Sequence, residues 1–507
     1  MAADHDRLAV IDLGSNSFRL VVFDVSPRGS WRRTDEIYET VRIGEGLGAS
    51  GQLGEPAIDR ALHTLGLYAH FCRSMRIEDV RPVATSAIRD ASNRQDFLKR
   101  AEAATHLPIR VLSREEEARY GYLAAVNSTT LADGLVLDLG GGSLQLVRVA
   151  ARASEQLDSW PLGAVRMTER FLPAAGKPTK KALKALRAHV RDELKRDKWV
   201  RGAGGRMVGI GGTVRNLAAA VQHEAGLPSL GVQGQLITTD ALDALVTRLA
   251  ALPVAERGTV PGIKPARADL ILAGAVVVRC VLEAGGFEAL EVTEAGLREG
   301  VFFERLLGAA GDPPLFDDVR RASVLNLAAQ YHVDHAHTEH VARLALGLFD
   351  ELAAAGLHPG DPIERELLWA AACLHDIGMS VDYDDHHKHS RYLVLNAGLP
   401  GFTPSEVAVI AQAARYHRKG TPSPGPMAPL LDDRDAARLD RLAVLLRLAE
   451  DLERSRDQSV REAHLEEDGD ALRLVLVADG DVAVPRWAAA REVDVFAKAF
   501  DRRLVVG

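Results

Sequence analysis

The feature that most constrains this chain is an internal repeat. Residues 8–23, LAVIDLGSNSFRLVVF, are echoed by residues 135–149, LVLDLGGGSLQLVRV. Each copy reads as an apolar strand, Asp-Leu-Gly, a small polar turn and a second apolar strand. Self-similarity of this kind outranks local secondary-structure signals, because it dictates how whole segments are built. It divides the first 308 residues into two halves of similar construction.

The rest of the chain supports an α/β reading. Helical periodicity runs over residues 57–75, 96–105, 114–126, 179–199 and 266–282, with short apolar strands at 80–84, 109–112 and 290–292. GAAGDPP, residues 308–314, reads as a linker. Beyond it, residues 319 to about 457 are almost wholly helical by period. The last fifty residues, with the strand-like LRLVLVA, read as a small mixed appendage. The expected domains are therefore 1–128, 129–308, 315–457 and 458–507.

Bulk composition narrows the function. The 507 residues are 47% hydrophobic and 26% charged, an ordinary globular balance. A net charge of −8 leaves no global basic field, so nucleic acid is not an expected partner and any polyanion must be held by a local patch. Cys72, Cys280 and Cys373 match no metal spacing and read as free thiols of a reducing compartment. No apolar run approaches the ~18 residues of a membrane span, and the first strand starts too early to follow a signal peptide. A cytoplasmic protein with no membrane association is expected.

The two Asp-Leu-Gly turns carry the chemistry. Glycines let backbone N–H groups approach a phosphate with no Cβ in the way. The candidates are Gly14, Ser15, Asn16 and Ser17 in the first turn, and Gly140, Gly141, Gly142 and Ser143 in the second. Asp12 and Asp138 would face one another across a cleft, a pairing suited to Mg²⁺ and its preference for carboxylates, water and phosphate oxygens. A third glycine turn, with Gly211, Gly212 and Thr213, could add N–H donors. One such turn alone is only a hairpin; the matched pair is what points to an anion.

IDLGSNSFRL, VATSAIRDASN, SREEEARYGYL, LDLGGGSLQLV, LGAVRMTERF, GIGGTVRN and GLREGV occur in that order. In this set the chain resembles the exopolyphosphatase and guanosine pentaphosphate (pppGpp) phosphatase family, a branch of the actin-like ATPase superfamily. The resemblance implies two ribonuclease-H-like domains, a cleft between them, hydrolysis of terminal phosphoanhydrides of inorganic polyphosphate or pppGpp, and a homodimer. It places the water-activating glutamate at Glu117 and a phosphate-facing arginine at Arg89. It places Mg²⁺ (or Mn²⁺) contacts at Asp12 and Asp138. One departure stands out: where the family commonly reads Ser-Thr-Glu, this chain has Ser143-Leu144-Gln145, so a metal-side carboxylate has become an amide. A weakly hydrolysing sensor of polyphosphate or nucleotide is the reading this departure favours.

Two further segments remain. Lys177, Lys180, Lys181, Lys184, Arg187, Arg191, Lys195 and Arg196 stripe a basic helix that could line a polyphosphate channel or simply be solvated. In the helical region AACLHDIGMSVDY resembles the HD metal-dependent phosphohydrolase domain. That resemblance implies a second divalent ion on His340, His375, Asp376 and Asp451, with His386, His387, His389 and His417 nearby in sequence.

Overall fold

A computed structural model of the chain describes residues 6–309, 311–331 and 333–506. The extreme N-terminus and one residue of the expected 308–314 linker lie outside the described residues. The chain forms two compact units, Met1–Val319 and Arg320–Gly507.

The repeat governs the first unit. One sheet contains β1 (Asp6–Leu13), β2 (Phe18–Val25), β3 (Trp31–Glu39), β4 (Asp79–Ala84) and β5 (Arg110–Val111), in the order β3-β2-β1-β4-β5. The second contains β6 (Gly134–Leu139), β7 (Leu144–Ala150), β8 (Ala153–Trp160), β9 (Arg206–Ile210), β10 (Leu236–Thr238) and β11 (Ala289–Val292), in the order β10-β11-β9-β6-β7-β8. In each, the repeat hairpin pairs antiparallel and its first strand pairs parallel with the next strand of the core, β1 with β4 and β6 with β9. These are the two ribonuclease-H-like cores expected. The central strands β1 and β6 are mostly apolar because both faces are covered, and each carries an aspartate, Asp12 or Asp138, just before its last residue.

β3 and β8 escape sequence reading. They are the third strands of the two meanders, TDEIYE and ASEQLDSW are mostly polar, and their side chains are largely exposed. Charged outer strands resist pairing with other chains, and the same charge erases the hydrophobic pattern.

The boundary expected at 128/129 falls between the two sheet cores, but a third apolar cluster crosses it. The helix Arg114–Val126 packs on β6 through β9, and the helix Leu297–Leu307 returns to pack on it and on β1. One apolar cluster joins Val10, Val21 and Val83 to Val136, Val147, Val208 and Phe302. Gly300 allows the close crossing: a Cβ there would lie 2.0 Å from the Tyr120 carbonyl oxygen.

The second unit has six main helices: Val319–Gln330, His335–Ala354, Pro362–Leu374, His386–Ala397, Pro404–Tyr416 and Asp433–Leu452. The sheet of β12 (Val460–Asp468), β13 (Ala471–Ala478) and β14 (Arg503–Val506) is part of the same compact unit rather than a separate appendage. β12 packs on the helix His335–Ala354, where the Glu351 carboxylate accepts from His464 at 2.6 Å and from the Leu465 amide at 2.6 Å.

A buried charge network ties this unit together. Asp361 caps the helix Pro362–Leu374 by accepting from the Ile363 amide at 2.9 Å. It also accepts from Arg434 at 2.6 Å and Arg438 at 2.5 Å. Burial works to raise the Asp361 carboxyl, but the bonds from Arg438 and the Ile363 amide outweigh it and the net shift is downward. A depressed carboxyl stabilises the fold above its unfolded-state range and loses that contribution as pH falls through the folded value. Asp361→Ala should cost about 1–2 kcal/mol at neutral pH, the range for a lost helix cap. The gap between variant and parent should close on acidification, as read from denaturant midpoints at a series of pH values.

Candidate active site

The cleft of the first unit is assembled from the tips of both hairpins. In each, the turn is closed by the same bond: Gly14 N–H donates to the Ser17 carbonyl at 3.2 Å, and Gly140 N–H to the Ser143 carbonyl at 3.0 Å. Register repeats as well, with Asp12 opposite Arg19 and Asp138 opposite Gln145. The loops meet: a Cβ added at Gly141 would lie 3.2 Å from the Ser15 Cβ.

A cavity of about 120 Å³ opens there, lined by Asp12, Gly14, Ser15, Asn16, Ser17, Glu117, Asp138, Gly140 and Gly141 of the expected set. Gly211 and Gly212 join them from the third turn. Gly211 has φ of 100°, a left-handed conformation that glycine takes without strain. It starts the helix Gly212–Glu224, whose free N–H groups and dipole favour an anion. Gly142, Ser143, Gln145 and Thr213 do not line the cavity. The Ser143 hydroxyl instead accepts from Gln145 Nε2 at 2.8 Å, and Thr213 is buried beside Gly274.

Three carboxyls are enclosed in this site, and burial raises all of them. Asp138 is pushed up to about 7 by burial, with Glu117 and Asp12 adding repulsion. Burial also lifts Asp12 against the pull of Arg298 and Arg19, and lifts Glu117 against the pull of Arg89. Carboxyls gathered this way call for a cation between them. The donor set is all oxygen, as a hard ion requires. Gln145 is 1% exposed, its Oε1 accepts no hydrogen bond, and its side chain reaches Glu117.

Arg89 is placed differently from the phosphate-facing role expected. Its guanidinium donates to Glu117 Oε2 at 2.6 Å and to the Leu112 carbonyl at 3.1 Å, and it does not line the cavity. It holds the glutamate. The cations that do line the cavity are Arg19, Arg215, Arg267 and Arg298, none of them singled out by sequence. Arg19, Arg215 and Arg298 sit inside IDLGSNSFRL, GIGGTVRN and GLREGV, so the motifs contained the signal. Arg267 is outside every motif. Burial lowers Arg215 to about 10, with Arg298 repelling it and Glu299 pulling the other way.

In the second unit the structure brings together only part of the expected set. His340 is occupied by protein: Nε2 donates to the Val460 carbonyl at 2.8 Å, and Nδ1 accepts from Arg343 at 2.5 Å. Asp451 follows Glu450 on the same helix, so it points about 100° away around the axis. It faces Arg454 and is pushed up to about 7 by burial and Glu492. His375 and Asp376 remain adjacent, but their buried neighbours are His337, His386, His417 and Glu450.

This fold and cleft define a phosphatase of the two-sheet, actin-like kind. Residues 28–309 match the Ppx/GppA phosphatase family, and residues 319–482 match Ppx/GppA phosphatase, domain III. A Ppx/GppA family member from Aquifex aeolicus is 30% identical over 61% of this chain and 99% of its own, with a TM-score of 0.53. An exopolyphosphatase-like protein is 27% identical over 59% of this chain and 97% of its own, with a TM-score of 0.53. An exopolyphosphatase from Cytophaga hutchinsonii, at 23% identity, shares the fold over 60% of this chain and 98% of its own, with a TM-score of 0.54. The chain belongs to the Ppx/GppA phosphatase family. No helix among the described residues is long and apolar enough to cross a membrane.

The Arg89 placement has a kinetic consequence. Arg89→Met should lower kcat for phosphate release by about 10²-fold, at the low end for loss of a working acid–base group. KM should change little, because the guanidinium does not reach the cavity. A rise in KM with kcat intact would return Arg89 to the substrate.

Proposed function

We propose that the chain is an exopolyphosphatase, a Mg²⁺-dependent hydrolase that removes the terminal phosphate of inorganic polyphosphate. The observation that carries this reading is the lining of the cavity. At about 120 Å³ it is well below the ~300–1,000 Å³ of sites for drug-sized organic ligands, which are mostly apolar. Glycine, hydroxyl, carboxylate and arginine groups make up nearly all of its wall, with Leu139 and Leu297 the apolar members and no aromatic ring among the described lining residues. Such a wall suits a phosphoryl group better than a purine, and so favours polyphosphate over pppGpp.

Each lining group then has a role. Amides of the two hairpin loops and the Asn16 Nδ2 donor, buried and without a partner, orient the terminal phosphate. The four arginines offset the charge of the phosphates behind it. Asp12 and Asp138 would hold Mg²⁺. When bound, that ion neutralises phosphate charge and polarises the bridging oxygen's departure. Glu117 accepts a proton from the attacking water. The water oxygen forms a bond to the terminal phosphorus, the bond from that phosphorus to the bridging oxygen breaks, and the shortened chain keeps that oxygen.

Phosphate release from polyphosphate, pppGpp and ATP, measured side by side with and without Mg²⁺, tests this function. Polyphosphate should be turned over fastest, and only with the ion present. Faster release from pppGpp would replace the reading with that of a pppGpp 5′-phosphatase. Glu117→Gln should reduce turnover by about 10²–10⁴ while leaving polyphosphate binding in place. Unchanged release would remove Glu117 from the chemistry.

Gln145 makes a separate prediction. Its register partner is Asp138, so both side chains leave the same face of the sheet. Gln145→Glu should shift the Mg²⁺ titration of phosphate release to lower concentration, because hard ions draw much of their binding from carboxylate charge. KM for polyphosphate should stay equal or rise through added repulsion. An identical Mg²⁺ dependence in both proteins would mean that this position does not serve the metal.

A further inference from the structure

The C-terminal unit contains a second constellation that the phosphatase reaction does not use. His337, His375 and Glu450 form one group, and Asp376, His386 and His417 form another, with ligand atoms in each within 4.8 Å of one another. The four histidines and Asp376 are each no more than 5% exposed. The geometry points to a two-ion divalent-metal centre in this unit, with His337, His375 and Glu450 holding one ion and Asp376, His386 and His417 the other.

Spacing is the first argument. Glu450 Oε2 lies 3.0 Å from His337 Nε2 and 3.2 Å from His375 Nε2. Asp376 Oδ1 lies 3.3 Å from His386 Nε2 and 3.8 Å from His417 Nε2. Donors bound to one ion at roughly 2.0–2.2 Å stand about 2.8–3.6 Å apart at octahedral or tetrahedral angles, a range that holds all of these but the His417 separation. Asp376 Oδ1 also lies 3.7 Å from His375 Nε2, so this oxygen can join the two positions, while Oδ2 accepts from Arg456 at 2.6 Å.

Tautomers are the second. His375 Nδ1 donates to the Ala372 carbonyl at 2.7 Å, His417 Nδ1 to the Ala414 carbonyl at 2.7 Å, and His386 Nδ1 to the Tyr383 carbonyl at 2.9 Å. His375 and His417 thereby keep the proton on Nδ1 and turn an Nε2 lone pair inward, the arrangement that metal-ligating histidines use, and His386 does the same when its Nδ1 gives the shorter Tyr383 bond rather than accepting from Arg418 at 3.3 Å. His386 Nε2 and His417 Nε2 then face each other at 3.1 Å, two acceptors with no proton between them unless one ring is charged. His375 Nε2, both nitrogens of His337, Asp376 Oδ1 and Glu450 Oε2 are buried without a hydrogen-bond partner. Buried polar atoms are rarely left unpaired, and the two ions account for His337 Nε2, His375 Nε2, Asp376 Oδ1 and Glu450 Oε2 together.

The donor set selects the ion. Four imidazoles and two carboxylates suit Mn²⁺, Fe²⁺ or Zn²⁺, whereas the all-oxygen cleft of the first unit suits Mg²⁺. The two sites should therefore be separable by metal.

The test uses the full chain, stripped with chelator, loaded with Mn²⁺ and desalted. Elemental analysis should find about two Mn²⁺ per chain, and low-temperature electron paramagnetic resonance should show a spin-coupled pair rather than the six-line spectrum of an isolated ion. Loading with Mg²⁺ should leave little metal after desalting. Glu450→Gln and His417→Asn should each lose at least one ion and the coupled signal, while His340→Asn and Asp451→Asn keep both. Asp12→Asn with Asp138→Asn should also keep both, which separates this centre from the cleft. Circular dichroism and retained phosphate release from the Glu450 and His417 variants would show that they are folded. A chain that retains no ion after Mn²⁺, Fe²⁺ and Zn²⁺ loading, or that retains a single uncoupled ion, would overturn the proposal. So would loss of metal on changing His340 and Asp451.

Discussion

The first unit depends on burying one carboxyl. Glu117 is 6% exposed, in a helix wedged between two sheets, and Arg89 meets it at 2.6 Å. A carboxylate taken out of water at that depth is costly unless paired and hydrogen-bonded. The fold supplies the pair and fixes its position. Ser113 caps the helix, accepting from the Glu116 amide while Glu116 reaches back to the Ser113 amide. That box sets the start of the helix and so the direction of the next residue, Glu117. Tyr120, one turn on, is pinned by the Glu304 carboxylate at 2.7 Å, and Gly300 lets the Glu304 helix come close enough to do so. A base in the cleft thus rests on a cap, a close helix crossing and an arginine, none of which touches the cavity.

The duplication explains why the cleft is symmetric in backbone and asymmetric in charge. Both hairpins close with the same bond and present an aspartate at the same register. The residue opposite the aspartate differs: Arg19 in the first copy and Gln145 in the second. One side of the cleft can therefore meet phosphate with a cation. The other faces Asp138 with a neutral amide, whose oxygen is free. A repeated loop has been specialised through single side chains, with the peptide geometry left alone.

Much of this was legible in the sequence. The repeat announced two like sheets, and the ordered motifs led to Asp12, Glu117, Asp138 and the glycine loops lining one cavity. What the sequence hid has physical causes. β3 and β8 are polar outer strands, so they lack the alternation that reveals a half-buried strand. Arg89 and the cleft arginines could not be told apart, because a guanidinium in a motif looks the same whether it meets a carboxylate or open space. His340 and Asp451 were displaced by His337 and Glu450, neighbours one to three residues away. His340 is claimed by Arg343, one turn along its own helix, and by the Val460 carbonyl, 120 residues away, which the sequence gives no reason to link.

The central claim is that Glu117 directs water onto the terminal phosphorus. Hydrolysis of polyphosphate in ¹⁸O-water, followed by mass analysis of both products, tests it most directly. The account predicts one ¹⁸O in each released orthophosphate and none in the shortened chain, with labelled product falling in proportion to turnover in Glu117→Gln. Label in the new end of the chain would mean attack on the penultimate phosphorus. Orthophosphate without label would mean that water is not the nucleophile. Either result would contradict the account.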